Sequence, residues 1–295
     1  MIKEVVVISG KGGTGKTSLT ASFAVLADRP VLADCDVDAA DLHLILSPDV
    51  KERHEFRAGR EAVIRSSDCI GCGACLAHCR FGAVRTNGKA AGEAAFSIDA
   101  VACEGCGVCV RFCPAKAIDF SERVCGEWMT SETRCGQMVH ARLGAGAENS
   151  GKLVSVVRQE ARRIAEQGTN PIVLVDGPPG IGCPVIASVT GASLVVVVTE
   201  PTVSGEHDLE RVLALAKHFQ IPAAVCVNKW DLNSGMAQRI EAKAQAAGAR
   251  IAGRIRYDRG VTHAQMQGKA VVETEAPSGE EIREVWREIE RSLAV

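Results

Sequence analysis

Hydrophobic residues fall into short continuous runs separated by stretches of helical periodicity. Val5-Val6-Val7-Ile8, Val31-Leu32-Ala33, Pro171 to Val175, Ser193 to Thr199 and Pro222 to Val227 are apolar on both alternating sets of positions. A strand that shows water neither face must be covered on both, as central strands of parallel sheets are. Between these runs, Ser18 to Ala27, Ser204 to Phe219 and Ser278 to Leu293 place apolar residues three and four apart. In the last of them Ile282, Val285, Trp286, Ile289 and Leu293 share one face, and Ser278 with Glu281 reads as a capping box. The alternation predicts an α/β fold, a mostly parallel sheet with helices on both faces. Arg123 to Ser150 shows little periodicity and reads as a long functional or mobile loop.

The residues just after the first run give it a chemistry. Gly10-Lys11-Gly12-Gly13-Thr14-Gly15-Lys16-Thr17 stands between the first strand and the first helix. Strand, G-x4-G-K-T and helix in that order are the context of a phosphate-binding loop; a glycine-rich turn alone also serves as a plain connection. The glycines let backbone N–H groups close around phosphate oxygens, and the helix N-terminus adds its positive end. Lys16 is expected to reach the β- and γ-phosphates of ATP, and the Thr17 hydroxyl to ligate Mg²⁺. Asp34 and Asp36 end the second strand, and Asp176 ends the run from Pro171.

With Lys11 at the second position of that loop, the chain resembles the MinD/Mrp/ParA group of dimeric P-loop ATPases, which also includes the nitrogenase iron protein. The resemblance implies a homodimer in which Lys11 crosses to the partner's phosphates as an arginine finger would. It implies that Asp36 orients the attacking water, with Lys11 and Lys16 the other catalytic residues, while Asp34 holds loop lysines. Asp176-Gly177-Pro178-Pro179-Gly180 resembles the group's Walker B and switch II segment, Asp176 binding Mg²⁺ through water. Asn228-Lys229-Trp230-Asp231 resembles its base-recognition turn, with Asn228 on adenine. N-K-x-D also occurs in GTPases, so the nucleotide rests on Lys11 and the Asp176 segment.

A second constellation lies at 69–113. Cys69, Cys72, Cys75 and Cys79 recur as Cys103, Cys106, Cys109 and Cys113, a C-x2-C-x2-C-x3-C run repeated at an offset of 34 residues. Zinc sites usually space pairs of C-x2-C by a longer loop. The spacing predicts two [4Fe–4S] clusters with crossed ligation: Cys69, Cys72, Cys75 and Cys113 on one, Cys103, Cys106, Cys109 and Cys79 on the other. The stretch resembles bacterial two-cluster ferredoxins and departs from them at Arg80, which stands where the second copy has Pro114. An α+β ferredoxin-like insertion over 57–121 is expected, between ATPase segments 1–56 and 122–295. Of the other cysteines, Cys35 and Cys226 read as core residues. Cys183, alone or with Cys125 or Cys135, is open as a further metal ligand, and His140 is open as a ligand or a surface histidine.

Composition narrows the partners. Net charge is −2 without a lysine- or arginine-rich block, so nucleic acid is not expected. No apolar run reaches spanning length, and glutamates 280, 281, 284, 288 and 290 make the last helix unsuited to an anionic membrane. Thirteen cysteines with a cluster signature fit a reducing cytoplasm. The expected function is an ATPase whose dimer cycle controls electron transfer or metal-cofactor handling with an unidentified redox or metal-cofactor partner protein. A cluster-assembly carrier and a redox-responsive interaction module are the alternatives.

Overall fold

In the computed structural model, residues 2–87, 95–144, 147 and 149–294 are described. The chain opens with β1 (Lys3–Ser9), α1 (Lys16–Leu26), β2 (Val31–Asp34), α2 (Leu42–Leu46) and β3 (Asp49–Ile64). Then come α3 (Ala74–His78), β4 (Val84–Thr86), β5 (Phe96–Ile98), α4 (Val108–Arg111), β6 (Ile118–Thr133) and β7 (Gly136–Leu143). The rest holds α5 (Ser150–Gln167), β8 (Ile172–Pro179), α6 (Cys183–Val189), β9 (Leu194–Thr199), α7 (Val203–His218) and β10 (Ala223–Asn228). It ends with α8 (Ser234–Ala246), β11 (Arg250–Ile255), α9 (Gly260–Met266) and α10 (Ser278–Leu293).

The chain divides into two compact units, one of residues 1–54, 127–143 and 150–295, the other of 55–126 and 144–149. The sheet order is β11-β10-β9-β1-β8-β2-β7-β6-β3, and every pairing from β11 through β7 is parallel. Parity sorts its faces. Val5, Val7, Leu32, Leu174, Val196 and Cys226 join one core with Leu19 and Phe23 of α1 and Val285 and Trp286 of α10. Their strand neighbours, such as Val6, Ala33, Val175 and Val197, are equally buried and point to the other side. There Glu4 receives Arg158 Nε and Arg162 Nε of α5, each at 2.6 Å. Both faces are thus covered, as the two-sided apolar runs require.

The structure corrects two expectations. The aperiodic stretch 123–150 is no loop: most of it is β6 and β7, adjacent in the sheet. Cys125, Met129 and Ser131 do alternate inward along β6, but a cysteine and a serine carry little hydropathic signal. The capping box at Ser278 is absent. Its hydroxyl and backbone N–H both donate to Asp258 Oδ2, at 2.8 and 3.0 Å, and Glu281 accepts from Arg256 instead. α10 forms all the same because its apolar stripe is buried.

In the second unit β4 and β5 pair antiparallel, and Ala62, Cys75, Val84 and Ile118 form its small core. Its repeat is visible in the backbone. Gly71 and Gly73 precede α3 with φ of 69° and 76°, and Gly105 and Gly107 precede α4 with φ of 61° and 71°. A side chain at Gly105 would also lie 2.2 Å from the Arg60 carbonyl oxygen. Such left-handed turns are open to glycine at little cost and let a short loop curl on itself.

Candidate functional site

The carboxyl ends of β1, β2, β8 and β10 converge on one cavity of about 450 Å³, within the usual range for small-molecule sites. Gly10 through Thr17 turns from β1 into α1 there. A Cβ on Gly10 would stand 2.3 Å from Asp208 Cβ, and one on Gly15 (φ +88°) 2.5 Å from Asn228 Nδ2. Those two glycines are thus hemmed in, whereas Gly12 and Gly13 face open space.

Three donors meet the fully buried Asp176. Lys16 Nζ reaches Oδ1 at 2.8 Å, Thr20 Oγ1 the same oxygen at 2.9 Å, and Thr17 Oγ1 reaches Oδ2 at 2.8 Å. Asp36 Oδ2 lies 3.5 Å from Lys16 Nζ. Burial works against the Lys16 charge, but Asp176 and then Asp36 outweigh it, and its pKa rises. Burial raises Asp36 as well, opposed by Lys16 and reinforced by Asp176.

Asp34 does not hold the loop lysines. It pairs in register with Asp176, Oδ1 accepts from the Asp36 N–H at 3.2 Å, and Oδ2 is buried with no hydrogen-bond partner. Burial, then the Asp176 charge, pushes its pKa well up. Asn228 lines the cavity, its Nδ2 donating to the Thr14 carbonyl at 2.7 Å. Lys11 stands at the rim, where Nζ donates to Ser204 Oγ at 3.1 Å and lies 3.5 Å from Glu200 Oε2. Glu200 Oε1 also takes Lys229 Nζ at 2.5 Å.

Sequence reasoning missed a further wall, where Arg256, Tyr257, Asp258 and Gln265 line the cavity. A signal was present, since the first three directly follow β11, and ligands in open α/β sheets bind at carboxyl strand ends. The last residue of the N-K-x-D turn braces this wall: Asp231 Oδ1 accepts the Tyr257 N–H at 2.6 Å.

In the second unit the eight repeat cysteines surround two cavities. Cys69, Cys72, Cys75 and Cys113 line one; Cys79, Cys103, Cys106 and Cys109 line the other. Each quartet takes three members from one copy and the fourth from the other. The walls obey the same offset of 34, with Ile64 answering Ile98, Ala117 answering Ala83 and Ile118 answering Val84. The Ala117 N–H lies 3.3 Å from Cys113 Sγ, and backbone N–H groups of Ala83 and Phe81 outweigh burial at Cys79 and lower its pKa. Such donors stabilise thiolate sulfur. Among the described residues no three His, Cys, Asp or Glu side chains converge as a single metal ion would require. Each cavity is mainly apolar and lined by four of the repeat cysteines, the number of thiolates that a four-iron cluster takes.

The remaining candidates separate. Cys35 and Cys226 are core residues, and burial pushes Cys226 up to about 12. Cys125 and Cys135 are buried, Cys125 Sγ donating to the Ala58 carbonyl at 3.0 Å, while Cys183 is exposed. His140 is no surface histidine. It is buried, its Nε2 is 2.8 Å from Ser131 Oγ, and burial with the charges of His43 and Arg53 lowers its pKa to about 4. The residues around it, 138–142, lie in β7. No helix among the described residues is long and apolar enough to cross a membrane.

Known proteins share this architecture. An uncharacterized protein of Methanocaldococcus jannaschii is 35% identical over 240 residues, covering 79% of this chain and 80% of its own. A second from that organism is 25% identical over 258 residues, covering 78% and 81%. The septum site-determining protein MinD of Pyrococcus horikoshii, solved with Mg-ADP, superposes with a TM-score of 0.58 at 17% identity, covering 99% of this chain and 97% of that one. The MinC:MinD complex of Aquifex aeolicus gives 0.58 at 19%, covering 98% and 96%. At such identity these two structures speak for the fold alone. Residues 5–271 match the CobQ/CobB/MinD/ParA nucleotide binding domain, the span that holds the loop, Asp36, Asp176 and every strand of the sheet but part of β1. The chain belongs to that family of nucleotide-binding domains.

Proposed function

We propose that the chain is a cytoplasmic, homodimeric ATPase of the MinD/Mrp type that carries two [4Fe–4S] clusters in a ferredoxin-like insertion over residues 57–121. Its nucleotide cycle would control electron transfer, or the handling of a metal cofactor, with a partner protein.

In the ATPase part the residues divide their work by charge. Lys16 and the loop N–H groups neutralise phosphate, while Thr17 and Asp176 hold Mg²⁺. ATP must draw Lys16 away from Asp176, which frees that carboxylate for the metal. Asp36, 3.5 Å from Lys16, would orient water, and Lys11 at the rim would leave Glu200 and Ser204 to reach a partner subunit. When bound, the clusters supply one-electron chemistry. The chain's part is to offer eight thiols in two apolar cavities, with backbone N–H groups aimed at sulfur to stabilise the charge.

The observation that carries the redox half is the crossing of the quartets, each cavity taking a cysteine from the other copy. Two independent metal loops would not need that exchange. The test is to reduce anaerobic protein, then time oxidation of the clusters by a viologen dye with and without ATP and Mg²⁺. ATP-dependent oxidation rates at constant iron content support the reading. Loss of iron to an apo-ferredoxin would favour a cluster carrier, and rates indifferent to ATP would refute control by the nucleotide.

A further inference from the structure

We propose that Asn228 is a positioning residue for phosphate: its amide holds two peptides of the phosphate-binding loop in shape, a role separate from any contact with the base. The inference rests on the phosphate-binding reading of residues 10–17.

The Asn228 amide is engaged at both ends. Its Oδ1 accepts the Lys229 N–H at 3.0 Å, and its Nδ2 donates to the Thr14 carbonyl at 2.7 Å. The first bond fixes which end is oxygen, because an N–H finds no acceptor on an amide nitrogen. The second bond is buried, where removing one partner leaves the other unsatisfied. Gly15 leaves room for it, since a Cβ there would stand 2.5 Å from Nδ2.

The next residue acts on the neighbouring peptide. Lys229 Nζ donates to the Gly13 carbonyl at 3.3 Å and to Glu200 Oε1 at 2.5 Å. Its backbone takes the left-handed region, with φ of 55°, which is uncommon outside glycine. Asp231, the last member of the turn, accepts the Tyr257 N–H. Each polar residue of N-K-x-D is therefore bonded to backbone of this chain, and two of the three bond to the loop.

Holding those carbonyls has a consequence for the loop's donors. In a trans peptide the C=O and the N–H point opposite ways. Anchoring the Gly13 and Thr14 carbonyls on the turn sets the N–H groups of Thr14 and Gly15 on the far side of the loop. Among the described residues neither N–H donates to a protein group. Thr14 Oγ1 is buried and also has no hydrogen-bond partner. Both residues line the nucleotide cavity. Successive unpartnered donors of this kind suit an anion with several oxygens, and buried polar groups seldom stay without a partner. Without Asn228 the Thr14–Gly15 peptide is free to rotate, and phosphate would have to order it on binding.

The test separates phosphate from base. The full chain, purified anaerobically with excess Mg²⁺, is titrated calorimetrically with the β,γ-imido analogue of ATP and with tripolyphosphate, which has no base. Asn228→Ala should weaken both by about tenfold, with the number of sites per chain unchanged. Misfolding would instead lower the number of sites and leave the affinity of the remainder alone. Asn228→Ser, a smaller polar change at the same strand end, should behave alike. Parent-like tripolyphosphate affinity in both variants would overturn the proposal, and a loss confined to the ATP analogue would assign Asn228 to the base. A parent that does not bind tripolyphosphate would refute the phosphate-binding reading itself.

Discussion

Lys16 Nζ and Asp176 Oδ1 are 2.8 Å apart at the base of the phosphate-binding loop, where Asp176 is fully buried. The pair joins the residue expected to hold phosphate to the one expected to hold metal.

Removing either partner should therefore have two separable effects. Lys16→Ala leaves Asp176 buried with hydroxyl donors and no counter-charge, and should cost about 3 kcal/mol of stability in urea unfolding as well as ATP binding. Adding Asp176→Asn should restore much of the stability and none of the binding. A double variant as unstable as Lys16→Ala would show that the ion pair is not what stabilises the loop.

Lys11 should separate binding from turnover. It lies at the rim, paired with Glu200, rather than beside Asp176. Lys11→Ala should keep ATP affinity near that of the parent and lower hydrolysis by about a thousandfold, the scale of a residue acting from across an interface. Normal hydrolysis by a monomeric Lys11→Ala protein would remove the cross-subunit role.

His140 should make the fold acid-sensitive. Its folded pKa of about 4 lies below the ordinary value of 6.5, so the unfolded chain binds the extra proton. Stability from keeping the ring neutral is complete above about pH 6.5 and is lost as pH falls toward about 4, some 3 kcal/mol in all. His140→Asn should lack this loss, which is read as the difference between parent and variant so that Asp34, titrating in both, cancels. Parallel stability curves across that window would contradict it.

The crossing predicts which variant damages which site. Cys113→Ala should disturb the cluster otherwise held by Cys69, Cys72 and Cys75, and Cys79→Ala the one held by Cys103, Cys106 and Cys109. Isotope-edited vibrational spectra of the two variants distinguish these patterns. Damage confined to the mutated copy's own neighbours would mean uncrossed ligation.

Legibility followed chemistry and periodicity. The strand before Gly10, the Lys16–Thr17 end of the loop and the cysteine repeat could be read from sequence because they are local in the chain. β6 was hidden because its inward positions include Cys125 and Ser131, which bury without looking hydrophobic. Asp34 departs from the role the resemblance implies because the strand register sets it beside Asp176, with no bond to a loop lysine. Arg256 and Tyr257 were missed because their role depends on β11 lying beside β10, a long-range pairing no local pattern records.

The central claim is that one chain joins the nucleotide cavity to two four-iron clusters. Iron and acid-labile sulfide, counted per chain on anaerobically purified protein whose ATP hydrolysis has been verified, test it most directly. About eight irons and about eight sulfides are expected. About four of each, or zinc without sulfide, would contradict it.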